Sequence, residues 1–272
     1  VASDFRSASI QGGVADPRLD TSIPHSARVW NYWLGGKDNF AVDREVGEQV
    51  RAADPQIIEI ARACRAFHGR AIRFLAGEIG IRQFLDVGTG LPTANNTHEV
   101  AQRVDPRSRI VYVDNDPLVL VHARALLTST REGATDYVEA DAREPETILA
   151  KAEQTLDFSQ PVGLILLGLM GNIADLEQAY EIRRRLVGAL AVGSYLVLQD
   201  GVSGREDADE GARRRAEAGD PYYIRTPAEL SAFFDGLDLV EPGVVSTPLW
   251  RPEPGTKPTA LGTYCGVARK SR

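Results

Sequence analysis

The spacing of apolar residues changes at about residue 83. Before it, they recur at helical intervals. Val29, Trp30, Trp33 and Leu34 fall along one side of a short helix within residues 24–34, and Ile57, Ala61, Cys64, Phe67, Ala71 and Phe74 mark the stripe of a longer one. Gly35-Gly36 stops the first. Asp43 is placed to cap a helix reaching Ala53. Asp54-Pro55 then opens the long helix, with the proline in the first turn where its missing N–H costs nothing, and Gly77 and Gly80 close it. From Gln83 onward, short continuous apolar runs alternate with amphipathic stretches. The runs predict strands over Gln83–Val87, 109–113, 135–139, 162–167 and 194–199; the stretches predict helices near 96–104, 117–129, 144–156 and 175–190. Such a rhythm is that of a parallel sheet with helices on both faces.

The remaining segments fit around this frame. Residues 1–23 are polar, rich in Gly, Ser and Asp, and without period, which predicts a loose arm. Residues 205–220 carry acids first and Arg213-Arg214-Arg215 later, an order that suits a solvated helix and its dipole. Thr226-Pro227-Ala228-Glu229 combines a cap, a first-turn proline and a third-position acid, and Leu230, Phe233 and Phe234 bury the helix it starts. Residues 238–245 and 263–268 close the chain as a strand pair, separated by a proline-rich loop that holds Trp250. The expected division is an N-terminal arm and helical extension over 1–80, followed by an α/β domain over 81–272.

Composition narrows the class. With 272 residues, 43% hydrophobic and 25% charged, the chain can bury a substantial core as a soluble globular protein. A formal charge of −7 argues against a broad nucleic-acid surface and suits a neutral or cationic small ligand. The two cysteines, Cys64 and Cys265, sit in apolar surroundings and read as core residues, and four scattered histidines offer no zinc-ligand spacing, so no metal is expected. No apolar run is long enough to span a membrane, and the expected compartment is the cytoplasm.

The candidate chemistry gathers at strand ends, where open α/β sheets bind ligands. Asp86 lies in the first strand and Gly88-Thr89-Gly90 turns sharply after it; Asp114 and Asp141 follow the second and third strands. A carboxylate after the second strand can accept both hydroxyls of a ribose, and an acid beside the glycine turn can answer an ammonium group. Asp116, before Pro117, reads as the cap of the next helix. A dinucleotide fingerprint needs a third glycine and an immediate helix. Here Pro92 and Thr93 intervene and the helix is delayed to Asn96, whose spacing to Glu99 is that of a capping box. The acids and glycines instead suit a ligand with an amino-acid tail, a sulfonium, a ribose and an adenine.

These residues carry a resemblance. Across about 83–269 the chain resembles the class I S-adenosylmethionine-dependent methyltransferases. More narrowly, SARVWNYWLGGKDNF, FLDVGTGLPT and YVDNDP are similar to those of an actinobacterial methyltransferase family whose likeness extends over nearly the whole chain. The resemblance implies a Rossmann-like seven-stranded sheet, mostly parallel with an antiparallel last strand, and S-adenosyl-L-methionine as cofactor. It implies that Asp86, Gly88 and Gly90 border the methionine end, Asp114 holds the ribose, and Asn115 approaches the adenine. Asp141 with Ala142 meets the adenine edge, and Leu169 and Met170 lie near the methionyl part and ring. Pro92 stands where the broad methyltransferase pattern has its third glycine. The resemblance supplies the reaction class and little about the acceptor, which is expected to be a small molecule.

On the acceptor side, His25, Lys37, Asp200, Tyr222 and Tyr223 are candidates by position, and no catalytic base stands out; His98 reads as a satisfied helix residue. Residues 30–39 combine aromatic side chains with Gly35-Gly36 and the polar donors Lys37 and Asn39, and are expected either to close over the cofactor as a lid or to plug the arm onto the body. The alternatives to methyl transfer are an adenosyl-ligand-binding protein without transfer and an NAD-dependent dehydrogenase.

Overall fold

The computed structural model describes residues 20–126 and 128–272; most of the arm expected over 1–23, and one residue of the helix expected over 117–129, lie outside them. Five parallel strands, β1 (Gln83–Val87), β2 (Arg109–Asp114), β3 (Ala134–Glu139), β4 (Gly163–Leu167) and β5 (Tyr195–Gly201), are joined by helices. These are α4 (Thr97–Val104), α5 (Pro117–Leu126), α6 (Pro145–Ala152) and α7 (Leu176–Gly188). The last strand, β8 (Thr263–Arg269), runs antiparallel to β5. The closing pair differs from the expected single strand over 238–245. It is two short pieces, β6 (Asp238–Leu239) and β7 (Val245–Ser246), both paired with β8. Pro242, which has no N–H to give a ladder, follows a cis peptide bond in the interruption, while the Val240 N–H still reaches Val267. Among the described residues the sheet thus has eight strands in the order β3-β2-β1-β4-β5-β8-β6, with β7 also paired to β8 and seven positions across it.

Side-chain alternation sorts the strands into two cores. Leu85, Val87, Val111, Val113, Leu164, Leu166 and Leu198 face α6, α7 and α9 (Pro227–Ala232). Phe84, Ile110, Tyr112, Ile165 and Val197 face the other layer. That layer is built by α3 (Ile57–Arg73), its continuation as a π-helical turn, Phe74–Ile79, and α4. The turn ends at Gly80 in the left-handed region. So although α3 precedes the expected boundary at 80/81, Phe67, Ala71, Ile72 and Leu75 share one core with the strands. Trp250 fills the same layer, edge-on to Phe67 and Phe74 at 5.3 and 5.9 Å between ring centroids.

A smaller cluster ties α1 (Ser26–Trp33) to α2 (Ala41–Ala53) and α3 through Val29, Trp33, Val46, Val50 and Ala61. Asp43 caps α2 from the third helical position, the N-cap residue itself being Phe40. The Asp43 carboxylate accepts the Phe40 N–H at 2.8 Å and the His25 N–H at 3.0 Å, pinning the entry to α1 as well. The charged segment forms α8 (Glu206–Glu217), with Arg213 and Arg214 paired to Glu210 and Glu217 at its surface. Arg215 departs from that solvated face: it turns inward, buried, onto Asp220. Among the described residues no helix is long and apolar enough to cross a membrane.

Candidate functional site

Strand order reverses between β1 and β4, so the chain leaving their carboxyl ends separates and opens a crevice. A cavity of about 350 Å³ occupies it, within the size range of small-ligand sites. Two turns form its floor. After β1, Gly88 and Gly90 adopt φ of 74° and 66°, and the N–H groups of Gly88 and Thr89 are held by the Val113 carbonyl. After β4, Gly168 is also left-handed. A Cβ on Gly88 would stand 2.7 Å from Leu169 Cδ1, so glycine lets the two turns approach. A Cβ on Gly90 would meet nothing within 4 Å, leaving its main chain open to a ligand.

The strand-end acids converge here. Asp114 is buried, and its two oxygens accept the N–H groups of Gly90 and Asp116 at 2.9 and 3.0 Å. Burial raises its pKa against the pull of those two bonds. Asp141 is held low by its Arg143 partner, which bonds both carboxylate oxygens. Asn115, Ala142, Gly88, Gly90 and Leu169 also line the cavity. Asp116 accepts the Leu118 N–H at 2.9 Å, as a cap does, and also meets Arg28 Nε at 3.3 Å and His25 Nδ1 at 3.2 Å. That cluster fastens α1 beside the second strand's exit.

Asp86 belongs to the face of the sheet that looks toward α3 and α4, by the same alternation that places Phe84 there. It accepts the Thr97 hydroxyl proton at 2.6 Å, and burial pushes its pKa up to about 6. A carboxyl with its pKa raised in the fold holds a proton that the unfolded chain has already released. Its contribution to stability therefore falls as pH rises from about 4 to about 6, and the penalty is complete above that. Asp86→Asn is accordingly expected to match wild type in ligand-free melting near about pH 4 and to melt higher near about pH 8, a difference that scanning fluorimetry reads. Equal melting temperatures at the higher pH would contradict this reading of Asp86.

Not every candidate reaches the cavity. Met170 is fully buried beneath the β4 turn and packs in the core; only its neighbour Leu169 faces the space. Lys37 is exposed and away from the lining. The Asn39 amide is spent locally, donating to Asn31 Oδ1 and to the Gly36 carbonyl. The glycine pair makes a fixed turn: Gly35 has φ of 79°, and a Cβ on Gly36 would collide with the Asn31 side chain. Trp33 plugs α1 onto α2 by donating from Nε1 to the Gly47 carbonyl at 3.1 Å, whereas Trp30, Asn31 and Leu34 line the cavity as a roof. His98 spends its ring and its backbone N–H on the Tyr112 hydroxyl.

The far wall comes from β5 and the α8–α9 connection. Asp200 stands just behind the lining, accepting from Gly171 N–H, Gly201 N–H and the Tyr222 hydroxyl; burial raises its pKa. Tyr222 does line the cavity, while Tyr223 does not. A Cβ on Gly171 would collide with the Tyr222 ring, 2.3 Å from Cζ, so glycine there is what seats the tyrosine. Arg215 lies over that ring at 4.6 Å. Cys64 also borders the space, its thiol pushed up to about 12 by burial.

Sequence reasoning missed Arg65, His68, Arg215 and Asp220. Arg65 and His68 lie on α3 beside Asp86, and their one sequence signal is helical spacing with Cys64: polar residues at the edge of a buried stripe. Arg65 donates to neutral oxygens, the Ala94 carbonyl and Asn96 Oδ1.

Comparison with known proteins agrees with this geometry. A family model described as S-adenosyl methyltransferase matches residues 13–271. The chain is similar to a DUF574 family protein from Streptomyces avermitilis, at 43% identity over 93% of this chain and 100% of that one, with a TM-score of 0.89. It is also similar to a candidate methyltransferase from Thermobifida fusca, at 42% identity, covering 94% and 98% of the two chains, with a TM-score of 0.87. At 13% identity and a TM-score of 0.50, covering 84% of this chain and 98% of that one, the N-methyltransferase NodS of Bradyrhizobium japonicum, solved with S-adenosyl-L-homocysteine, shares the fold. No curated protein matches. The chain belongs to the S-adenosyl methyltransferase family, a Rossmann-like enzyme family whose cofactor is S-adenosyl-L-methionine.

Proposed function

We propose that this enzyme methylates a small molecule held under α1, in one cavity shared by cofactor and acceptor. Continuity carries the reading: the same cavity is lined by Asp114 and Asp141 at the strand ends and by Trp30, Leu34 and Tyr222 across from them. A roof made by a helix leaves room for a compact acceptor, and the net charge of −7 gives no general attraction for a polyanion.

The residues present fit the cofactor. Each oxygen of Asp114 has one backbone donor, which leaves acceptor capacity for two ribose hydroxyls. Asn115, Asp141 and Ala142 border the adenine, and Gly88, Gly90, Leu169 and Asp86 the methionyl part. Arg65 offers its guanidinium to the tail carboxylate. When bound, S-adenosyl-L-methionine supplies an electrophilic methyl group on a sulfonium. The protein's part is to hold the acceptor's nucleophile in line with that group, which lowers the barrier through positioning. Trp30 and Leu34 exclude water from the same space. Where the acceptor is a hydroxyl, Tyr222 takes its proton at the phenolic oxygen and passes its own to Asp200, which burial makes a stronger base than an exposed carboxylate.

Hydrogen exchange on the full chain tests the shared cavity. With S-adenosyl-L-homocysteine added, protection is expected to rise in the turn at 88–93, at 114–115 and throughout α1. If the ligand binds and α1 exchanges as before, the roofed acceptor site is wrong. Binding of NADH with no binding of either adenosyl ligand would overturn the cofactor assignment itself.

A further inference from the structure

The run Arg213-Arg214-Arg215 divides between surface and cavity. Arg213 and Arg214 pair with glutamates on the outer face of α8, while Arg215 is 5% exposed and lines the cavity. Its guanidinium is held along one edge. Nε and Nη2 both donate to Asp220 Oδ2, at 3.0 and 2.5 Å, and Nη2 also gives to Ser26 Oγ of α1 at 3.2 Å. Two rings steady the group further: Cζ lies 4.6 Å from the centroid of Tyr222 and 5.9 Å from that of Trp33. A guanidinium has five N–H donors, and three are spent in these bonds. The two that are left both sit on Nη1, which has no hydrogen-bond partner among the described residues. Arg205 Nη1 and Arg28 Nε are sealed inside the protein without a partner; Arg215 Nη1 is not sealed. Structure alone is a poor reason for this arrangement. Desolvation offsets much of what a buried ion pair gains, and an apolar pair of similar volume would hold α8 to α1 as well. A cation fixed by one edge and unspent at its other end is suited to meeting an oxygen of a bound molecule.

We propose that Arg215 Nη1 binds a carboxylate of the methyl acceptor, with Asp220 as the residue that positions the guanidinium. The proposal rests on the shared cavity above and names its acceptor class: a small organic acid whose apolar body lies against Trp30 and Leu34. The chain's charge of −7 disfavours anions in general, so an acid is admitted only where a fixed cation meets it. A charge-assisted bond of this kind is stronger than one to a neutral carbonyl, and it fixes orientation. Anchoring one end of the acceptor then decides which of its atoms reaches the transferred methyl group.

Benzoate, benzamide and benzylamine carry the same ring and differ in charge at one end, which makes them the probes. On the full chain saturated with S-adenosyl-L-homocysteine, calorimetry is expected to place benzoate about 10-fold above the other two. Arg215→Gln is expected to weaken benzoate about 10-fold and abolish that preference, with S-adenosyl-L-homocysteine unchanged within about 2-fold. Arg215→Lys, which keeps the charge and loses the fork, should recover part of it. A purely structural Arg215 would shift all three probes, or the adenosyl ligand, together. Benzamide bound as tightly as benzoate, benzoate indifferent to Arg215→Gln, or no binding of benzoate overturns the proposal. A crystal structure of wild type with S-adenosyl-L-homocysteine and benzoate needs no variant to fold. It should show the benzoate carboxylate within hydrogen-bond reach of Arg215 Nη1, and benzoate seated elsewhere overturns the assignment too. Failure of the underlying reading looks different: wild type then binds no S-adenosyl-L-homocysteine, or binds it only in exclusion of all three probes.

Discussion

Asp114→Ala is expected to weaken S-adenosyl-L-homocysteine binding by about 100-fold, near 2.7 kcal/mol. Two losses combine in it. The carboxylate proposed to hold the ribose is removed, and a hydrogen bond to a charged group contributes about 1.5–3 kcal/mol. The same carboxylate also spans the site: one oxygen holds the Gly90 N–H and the other the Asp116 N–H, so it ties the turn after β1 to the turn after β2. Without it, Gly90 loses the bond that keeps its main chain open to the cavity, and the ligand must order the turn on binding. Asp114→Asn retains an acceptor but loses the charge, and about a 10-fold loss is expected for it. Calorimetry on both folded variants checks the order. An unchanged dissociation constant for Asp114→Ala would remove Asp114 from the cofactor site.

The largest expected effect on stability lies away from the cavity floor, at Trp250. Its side chain is fully buried against Phe67 and Phe74, and its backbone carbonyl accepts from Arg70 Nε at 3.0 Å. Trp250→Ala leaves a void that these two rings, fixed on α3 and its π-turn, cannot collapse to fill. A loss of about 3–5 kcal/mol is expected, as for other large-to-small changes at buried aromatic sites. In urea, the midpoint should fall with the slope unchanged. A loss under about 1 kcal/mol would mean that the proline-rich loop is not part of the core it covers.

β1 is found at Gln83–Val87, the bounds its apolar run predicts, because a strand buried on both faces has no freedom to place polar residues inside it. The capping box at Thr226 and Glu229 forms as its spacing predicts, with the Glu229 N–H on Thr226 Oγ1 and the Thr226 N–H on Glu229 Oε2, since both bonds span three residues. Asp43 was harder to place. A carboxylate at the third helical position and one at the cap differ by a few residues in sequence, and its second partner, the His25 N–H, lies 18 residues away. Periodicity predicts a continuous closing strand because period alone does not register the interruption around Pro242.

For the site, local sequence identified the half that strands and turns build by themselves. Asp86 and Asp114 lie at the ends of their strands, and Gly88, Gly90 and Asp141 just beyond strand ends, so knowing the strand ends locates them. The half built by helix packing was invisible. Arg65 and His68 meet Asp86 because α3 lies across one face of the sheet; Arg215 and Tyr222 reach the cavity because α8 packs on α2 and Gly171 leaves room for a ring. Those contacts join residues far apart in the chain, and no period or spacing encodes them. The sequence by itself therefore determined the α/β class, the order of the strands along the chain and the acids at their ends, all consequences of hydrophobic periodicity and turn chemistry. The tertiary structure alone decided which helix faces roof and wall the cavity, which of Trp30 and Trp33 looks into it, and that His68 bonds the Thr97 hydroxyl, because each depends on what packing brings together.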